Sequence, residues 1–232
     1  MSGPKIFSAK DLSLVYSFPT DEDTSNAMIQ QYKGEDYLTY WAGTGSAATG
    51  DGQGSCYFLN NEYQVAYTIT PIGLPSGITT DQHECQRTAN DTVLITVYKS
   101  VSNYDLTPLG GPSNGTLLDS GFQEIDIATN TSLFTWWASE HFNLSNSYAP
   151  YAEYLKNPNP RGIDFFHLNS IQKIGNDFVV SGRLCRLVTY VSHTDGKPIW
   201  TLGGKVNQFQ DLSQGNALNF GFQHYERVRD FT

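Results

Sequence analysis

Short runs of aromatic and β-branched residues, separated by breaks rich in Asn, Asp and Gly, recur along most of the chain. They predict strands at residues 37–41, 55–59, 63–69, 92–99, 121–127, 132–137, 171–174, 178–182, 187–192 and 198–202. Several neighbouring runs flank sequences that close hairpins: Asn60-Asn61-Glu62, Ala128-Thr129-Asn130, Gly175-Asn176-Asp177 and His193-Thr194-Asp195-Gly196-Lys197. Asn90-Asp91 makes a further turn before residues 92–99. No amphipathic helix of ten or more residues is visible, and residues 147–156 predict only a short helical turn. The expected class is all-β, built as a meander.

The pattern also repeats. His83-Glu84-Cys85-Gln86, the Asn90-Asp91 turn, the apolar run that follows, residues 122–127 and Phe134-Thr135-Trp136 make one unit. It can be laid beside His167-Leu168-Asn169-Ser170, the Gly175-Asn176-Asp177 turn, its following apolar run, residues 187–190 and Ile199-Trp200. Each unit reads as an inner strand led by a His, an Asn/Asp turn, a buried strand, a hairpin and an outer strand ending in Trp. Residues 33–69 look like a further unit without the leading His. Four strands in roughly 40 to 50 residues is the signature of a β-propeller blade. The expected architecture is therefore a single partial propeller domain over 1–232, with blades near 33–70, 80–138 and 164–204. Gly221-Phe222-Gln223-His224 marks the start of another blade at 220–232. About three blades are too few to close a ring of the usual 4–8. The chain is thus expected to be a fragment with open sheet edges, through which it can self-associate. A β-sandwich with coincidental likeness between hairpins is the alternative.

Composition narrows the partners. The 232 residues include 16% charged side chains and 13% aromatics, with a net charge of -9. So few charges argue against disorder and coiled coils, and the negative balance argues against a nucleic-acid partner, whose binding relies on Lys and Arg. No run approaches the roughly 18 to 20 apolar residues of a spanning helix, so no membrane partner is expected. The N-terminal residues lack the apolar core of a signal peptide. Sequons at Asn90, Asn114, Asn130 and Asn143 hint at a secreted, glycosylated parent. The three cysteines, Cys56, Cys85 and Cys185, allow one disulfide plus a free thiol, or three buried thiols.

Candidate chemistry follows from the repeat. His83, His167 and His224 each stand at the start of a unit, where a propeller runs its innermost strand along the central channel. Three imidazoles in one channel can form a nucleophile with its supports, an acid/base set or a metal site. Each alone also looks like an ordinary hydrogen-bonded structural histidine. Arg183 lies sixteen residues beyond His167, in the strand that should return beside it, and its fork of donors suits a tetrahedral oxyanion. His141, His193 and Lys205 occupy contexts that read as structural. No Gly-rich phosphate loop, GxSxG elbow or HExxH is present.

Asp164-Phe165-Phe166-His167-Leu168-Asn169-Ser170, Ser181-Gly182-Arg183, Trp200-Thr201-Leu202-Gly203-Gly204-Lys205 and Phe222-Gln223-His224, in that order, resemble the arylsulfotransferase family, in particular its fungal branch. Residues 32–41 and the stretches 122–127 and 138–142 are similar to the same branch. The resemblance implies a β-propeller enzyme that moves a sulfuryl group from an aryl sulfate to a phenol, without a cofactor, a metal or a nucleotide donor. In the family a channel histidine is transiently sulfated, with two further histidines and an arginine around the sulfate. The matching catalytic residues are His224, as the histidine that is modified, with His167, His83 and Arg183. Two local departures are Tyr225, where the family usually has Asp, and Leu184-Cys185-Arg186 after Arg183. The chain also begins past the family's leader and first propeller portion and ends eight residues after His224. A truncated, inactive relative is one expectation, and a non-catalytic propeller that binds a partner is the alternative function. A metal enzyme using the three histidines is the remaining competitor.

Overall fold

The computed structural model describes residues 3–229. A small hairpin, β1 (Lys5–Phe7) with β2 (Leu14–Ser17), leads into the main body. There follow β3 (Asp23–Tyr32), β4 (Glu35–Gly45), β5 (Gly52–Leu59), β6 (Val65–Ile69), β7 (Thr80–Arg87), β8 (Thr92–Tyr104), β9 (Gly115–Asp126) and β10 (Thr131–Trp137). After a stretch holding two 3-10 turns (Ala138–Glu140 and Leu144–Asn146) and one α-helical turn, α1 (Tyr151–Tyr154), come β11 (Leu168–Ile174), β12 (Asp177–Gly182), β13 (Leu187–Val191) and β14 (Pro198–Gly203).

All pairings between these strands are antiparallel. β3 to β10 form one eight-stranded sheet, ordered β10-β9-β8-β7-β5-β4-β3 with β6 also on β5. Its two halves, β3–β6 and β7–β10, join through one register pair, Gly54 with Thr80. Each half is a four-stranded meander, and β11–β14 is a third. β7 touches β3 on one side and β11 on the other, so the leading strands of the three meanders lie together. The fold is all-β, a partial propeller without closure.

Burial explains the arrangement. Phe122, Trp136, Phe166, Leu168, Phe178 and Val180 fill a core between the second and third meanders. Cys56, Phe58, Val93, Ile95, Ile125 and Trp137 fill another between the first and second. Burying one such large side chain is worth roughly 1.5–3 kcal/mol. β9 is enclosed on both faces, whereas the outer strand β10 alternates exposed and half-buried positions until its two tryptophans. Trp41 donates its indole N–H to the Thr80 carbonyl, and Trp136 does the same to Gly196, so each ties its meander to the next. A Cys56–Cys85 disulfide crosses the same join as the lone Gly54–Thr80 pair, and Cys185 is a buried free thiol.

Two stretches differ from the hydrophobic pattern. β3 reads in sequence as Asp-Thr-Ser-Asn-Ala-Met-Ile-Gln-Gln-Tyr, with no strict alternation, yet it leads the first meander. Its bulge at residues 25–28 and its neighbour β7, which takes hydrogen bonds from Ser25 and Asn26, replace the missing apolar face. Residues 204–229 carry no strand. Of the blade start expected at 220–232, residues 230–232 lie outside the described residues. Residues 223–228 nonetheless run beside β11, through Asn169 Nδ2 to the Gln223 carbonyl and the Val228 N–H to Gln172 Oε1.

Candidate active site

Each leading strand bulges where it meets the others. The β7–β8 ladder shifts between Thr80 and Cys85, around His83. The β11–β12 ladder shifts between Leu168 and Ser170, just beyond His167. A bulge re-aims side chains out of the ordinary alternation. His167 itself adopts the left-handed region, with φ 55°, as does Asn26 at φ 56° in the bulge of β3.

An aspartate clamps each of these two histidines. Asp81 Oδ1 accepts the His83 backbone N–H at 3.1 Å and lies 2.6 Å from the ring Nδ1, while Oδ2 accepts from Gly52 N–H at 2.6 Å. Asp164 Oδ1 accepts the His167 N–H at 2.8 Å, and Oδ2 lies 2.5 Å from Nδ1. Both Nε2 atoms are thereby left free of the aspartates. Burial alone would pull the His83 pKa down, but the Asp81 carboxylate outweighs it and holds it above the ordinary histidine value. Burial likewise pushes the Asp81 carboxyl up, but the His83 charge and three hydrogen bonds hold it below the usual carboxylate range.

His224 is held differently. It is exposed, and its Nδ1 lies 3.0 Å from the carbonyl oxygen of Phe222, two residues earlier. A carbonyl only accepts, so Nδ1 carries the proton and the lone pair of the neutral ring is on Nε2. Partial burial lowers the His224 pKa, the Phe222 carbonyl works against that, and His83, Arg183 and His167 add to the lowering.

These residues come together. The His83 and His167 rings are 5.0 Å apart between centroids, and His83 and His224 are 6.0 Å apart. Arg183 Nη1 lies 3.4 Å from His167 Nε2, because the β11–β12 hairpin returns beside its start and Arg183 N–H bonds the His167 carbonyl. Arg183 forms no ion pair with a carboxylate among the described residues, and its buried Nε has no hydrogen-bond partner. His167 and Arg183 line a cleft of about 280 Å³ whose apolar side includes Tyr154, Leu184 and Phe222. All four predicted residues thus share one place.

The remaining candidates lie elsewhere. His141 stacks on Trp136 and His193 on Phe134, and Lys205 Nζ donates to the Ser145 and Ser147 carbonyls. Among the described residues no group of three His, Cys, Asp or Glu side chains is arranged to hold a metal ion. No helix among them is long and apolar enough to cross a membrane.

Sequence reasoning missed three parts of this site. The aspartates were visible two and three residues before their histidines, in Asp81-Gln82-His83 and Asp164-Phe165-Phe166-His167. The third is Gly50, with φ 80°, where a Cβ would come within 3.1 Å of His167 Cε1 and 3.4 Å of Arg183 Nη1. Its neighbours in sequence carry no signal of that proximity.

Electrostatically the site combines a fixed guanidinium, two imidazoles tied to carboxylates and one imidazole with a free lone pair. Such a set suits a tetrahedral oxyanion and an attack on its central atom. In comparison with known proteins, the family model described as Arylsulfotransferase (ASST) matches residues 28–232. No curated protein matches the chain at a significant level.

Proposed function

Because the chain belongs to the arylsulfotransferase family, which implies aryl sulfates and phenols as substrates, we propose that it transfers the sulfuryl group through His224 as nucleophile. His224 Nε2 attacks sulfur, the N–S bond forms, and the S–O bond to the aryl group breaks. His83, whose pKa Asp81 holds above the ordinary histidine value, gives its Nε2 proton to the departing phenolate. An acceptor phenol then returns a proton to His83 as its oxygen attacks sulfur, and the N–S bond breaks. Dividing the transfer in two makes each displacement easier, as in other covalent catalysis. Arg183 holds the sulfuryl oxygens throughout, and His167 completes the anion pocket. Sulfuryl transfer resembles phosphoryl transfer in depending mostly on positioning and charge.

One observation carries this reading: a guanidinium without an ion-pair partner among the described residues, its buried Nε orphaned, lines a cleft together with His167, whose ring is 5.0 Å from that of His83, itself 6.0 Å from that of His224. The Phe222 carbonyl supports it by leaving the His224 Nε2 lone pair available, the part a following Asp would otherwise play in orienting the ring. We read the chain as a single partial propeller domain whose leading strands line this site.

The test is turnover of a chromogenic aryl sulfate with a phenol acceptor, together with peptide mass spectrometry after brief exposure to the donor. A sulfated peptide containing His224, and loss of turnover in His224→Ala, are expected. A label only on another residue overturns the assignment. A folded chain with neither turnover nor label is a binding module instead.

A further inference from the structure

His224 sits in a segment without regular secondary structure, and its own hydrogen bond stays inside that segment. Its distance from His83 must therefore be set by anchors on either side. Gln223 supplies the first, donating from Nε2 to the Ser181 hydroxyl and to the carbonyls of Gly182 and Leu187. These contacts tie the segment to the third meander alone.

The second anchor is Arg227. Its Nη2 lies 3.0 Å from both carboxylate oxygens of Glu84, the residue directly after His83 on β7. Its Nη1 donates to Ser170 Oγ at 2.5 Å on β11 and to the Glu226 carbonyl at 2.7 Å. The guanidinium also covers the Tyr225 ring at 3.9 Å. Glu84 is buried and accepts the Ile171 N–H as well, so it is fixed to both leading strands. A buried carboxylate of this kind needs its cation, and removal of either partner strands the other.

The geometry points to Arg227 as a positioning residue: its pairing with Glu84 sets the His224 imidazole against His83 for the attack on sulfur. One guanidinium spans β7, β11 and the segment carrying the nucleophile, joining the residue after one histidine to the third residue after the other. A lysine keeps the charge but cannot hold Glu84 and Ser170 with one rigid fork. The inference rests on His224 as nucleophile, and its test separates the two.

Two measurements on the full chain decide it, for wild type, Arg227→Gln, Arg227→Lys and Arg227→Ala, with thermal melting to establish that each is folded. The first is the pH titration of the His224 ring protons by NMR. In the wild type the midpoint lies below the ordinary 6.5, first because the packed segment partly buries the ring and then because His83, Arg183 and His167 add to the lowering. In Arg227→Gln it should return toward 6.5, with Arg227→Lys between. The second is the rate of His224 sulfation by a chromogenic aryl sulfate, expected to fall about 10–100-fold in Arg227→Gln with KM nearly unchanged. Methylguanidinium should restore part of the rate to Arg227→Ala. An unchanged titration in Arg227→Gln overturns the positioning role, whether or not the protein is active. Equal sulfation rates in wild type and Arg227→Gln also overturn it. A wild type that never carries sulfate on His224 overturns the nucleophile reading instead, and the titration still decides the geometry.

Discussion

Asp164 grips His167 twice, one carboxylate oxygen on the backbone N–H at 2.8 Å and the other 2.5 Å from the ring Nδ1. The grip compensates a backbone in the left-handed region, which costs roughly 1–2 kcal/mol for a residue with a side chain. It also sets the tautomer, since a carboxylate requires Nδ1 to donate. Asp164→Asn puts an amide in its place, and one end of that amide is a donor. We expect turnover to fall about 10–100-fold, as for other residues that orient a functional histidine. Melting should move by only a few degrees. Steady-state kinetics beside a thermal melt checks this, and unchanged kcat with a large loss of stability would assign Asp164 a purely structural role.

The pH profile should be bell-shaped. His224 must be neutral to attack, and its pKa is lowered, so the acid limb lies below 6.5. His83 must be protonated to donate, and its pKa is raised, so the alkaline limb lies above 6.5. Activity therefore spans the window between the two. His83→Gln should lower the rate and remove the alkaline limb, measured as kcat/KM against pH.

The join between the first and second meanders depends on covalent help. One ladder pair crosses it, and the Cys56–Cys85 disulfide closes a separation of 29 residues there. Chain-entropy reasoning assigns such a loop about 3 to 4 kcal/mol, through restriction of the unfolded chain. Cys56→Ser with Cys85→Ser should lower the unfolding free energy by about that much in urea titrations. A change under about 1 kcal/mol would mean that the apolar core alone secures the join.

Glu226 should make stability fall as pH rises. Burial pushes its pKa up to about 7, with Glu84 adding to the rise while Ser170 and Arg227 work against it. The folded chain thus holds this proton more tightly than the unfolded chain. Its stabilising effect is full below about 4.5 and lost as pH approaches about 7. Glu226→Gln cannot ionise, so relative to it the wild type should weaken across that window and stay level above it. Urea unfolding of both proteins at several pH values measures the difference.

Much of this molecule is written in short-range pattern. Apart from the polar β7, which only the repeat placed, the strands from β4 onward and their hairpins follow from alternation and turn residues, which act over a few positions. The recurrence of a histidine at each unit start, with Arg183 one hairpin away, was enough to name four residues that prove to be neighbours. β3 escaped because it is polar and bulged, and the side-chain hydrogen bonds that add to its ladder with β4 run to β7, a strand about fifty residues further along the chain. The pairing of Cys56 with Cys85 left Cys185 equally eligible until distances were known. The Asp81 and Asp164 clamps, the closeness of Gly50 to His167 and the Glu84–Arg227 link arise only when β7, β11 and the final segment converge. Sequence alone determined the elements and the order of the reactive residues, because periodicity and turn chemistry are local. Tertiary structure decided how those residues are oriented, because hydrogen bonds between distant segments depend on packing that no local pattern encodes.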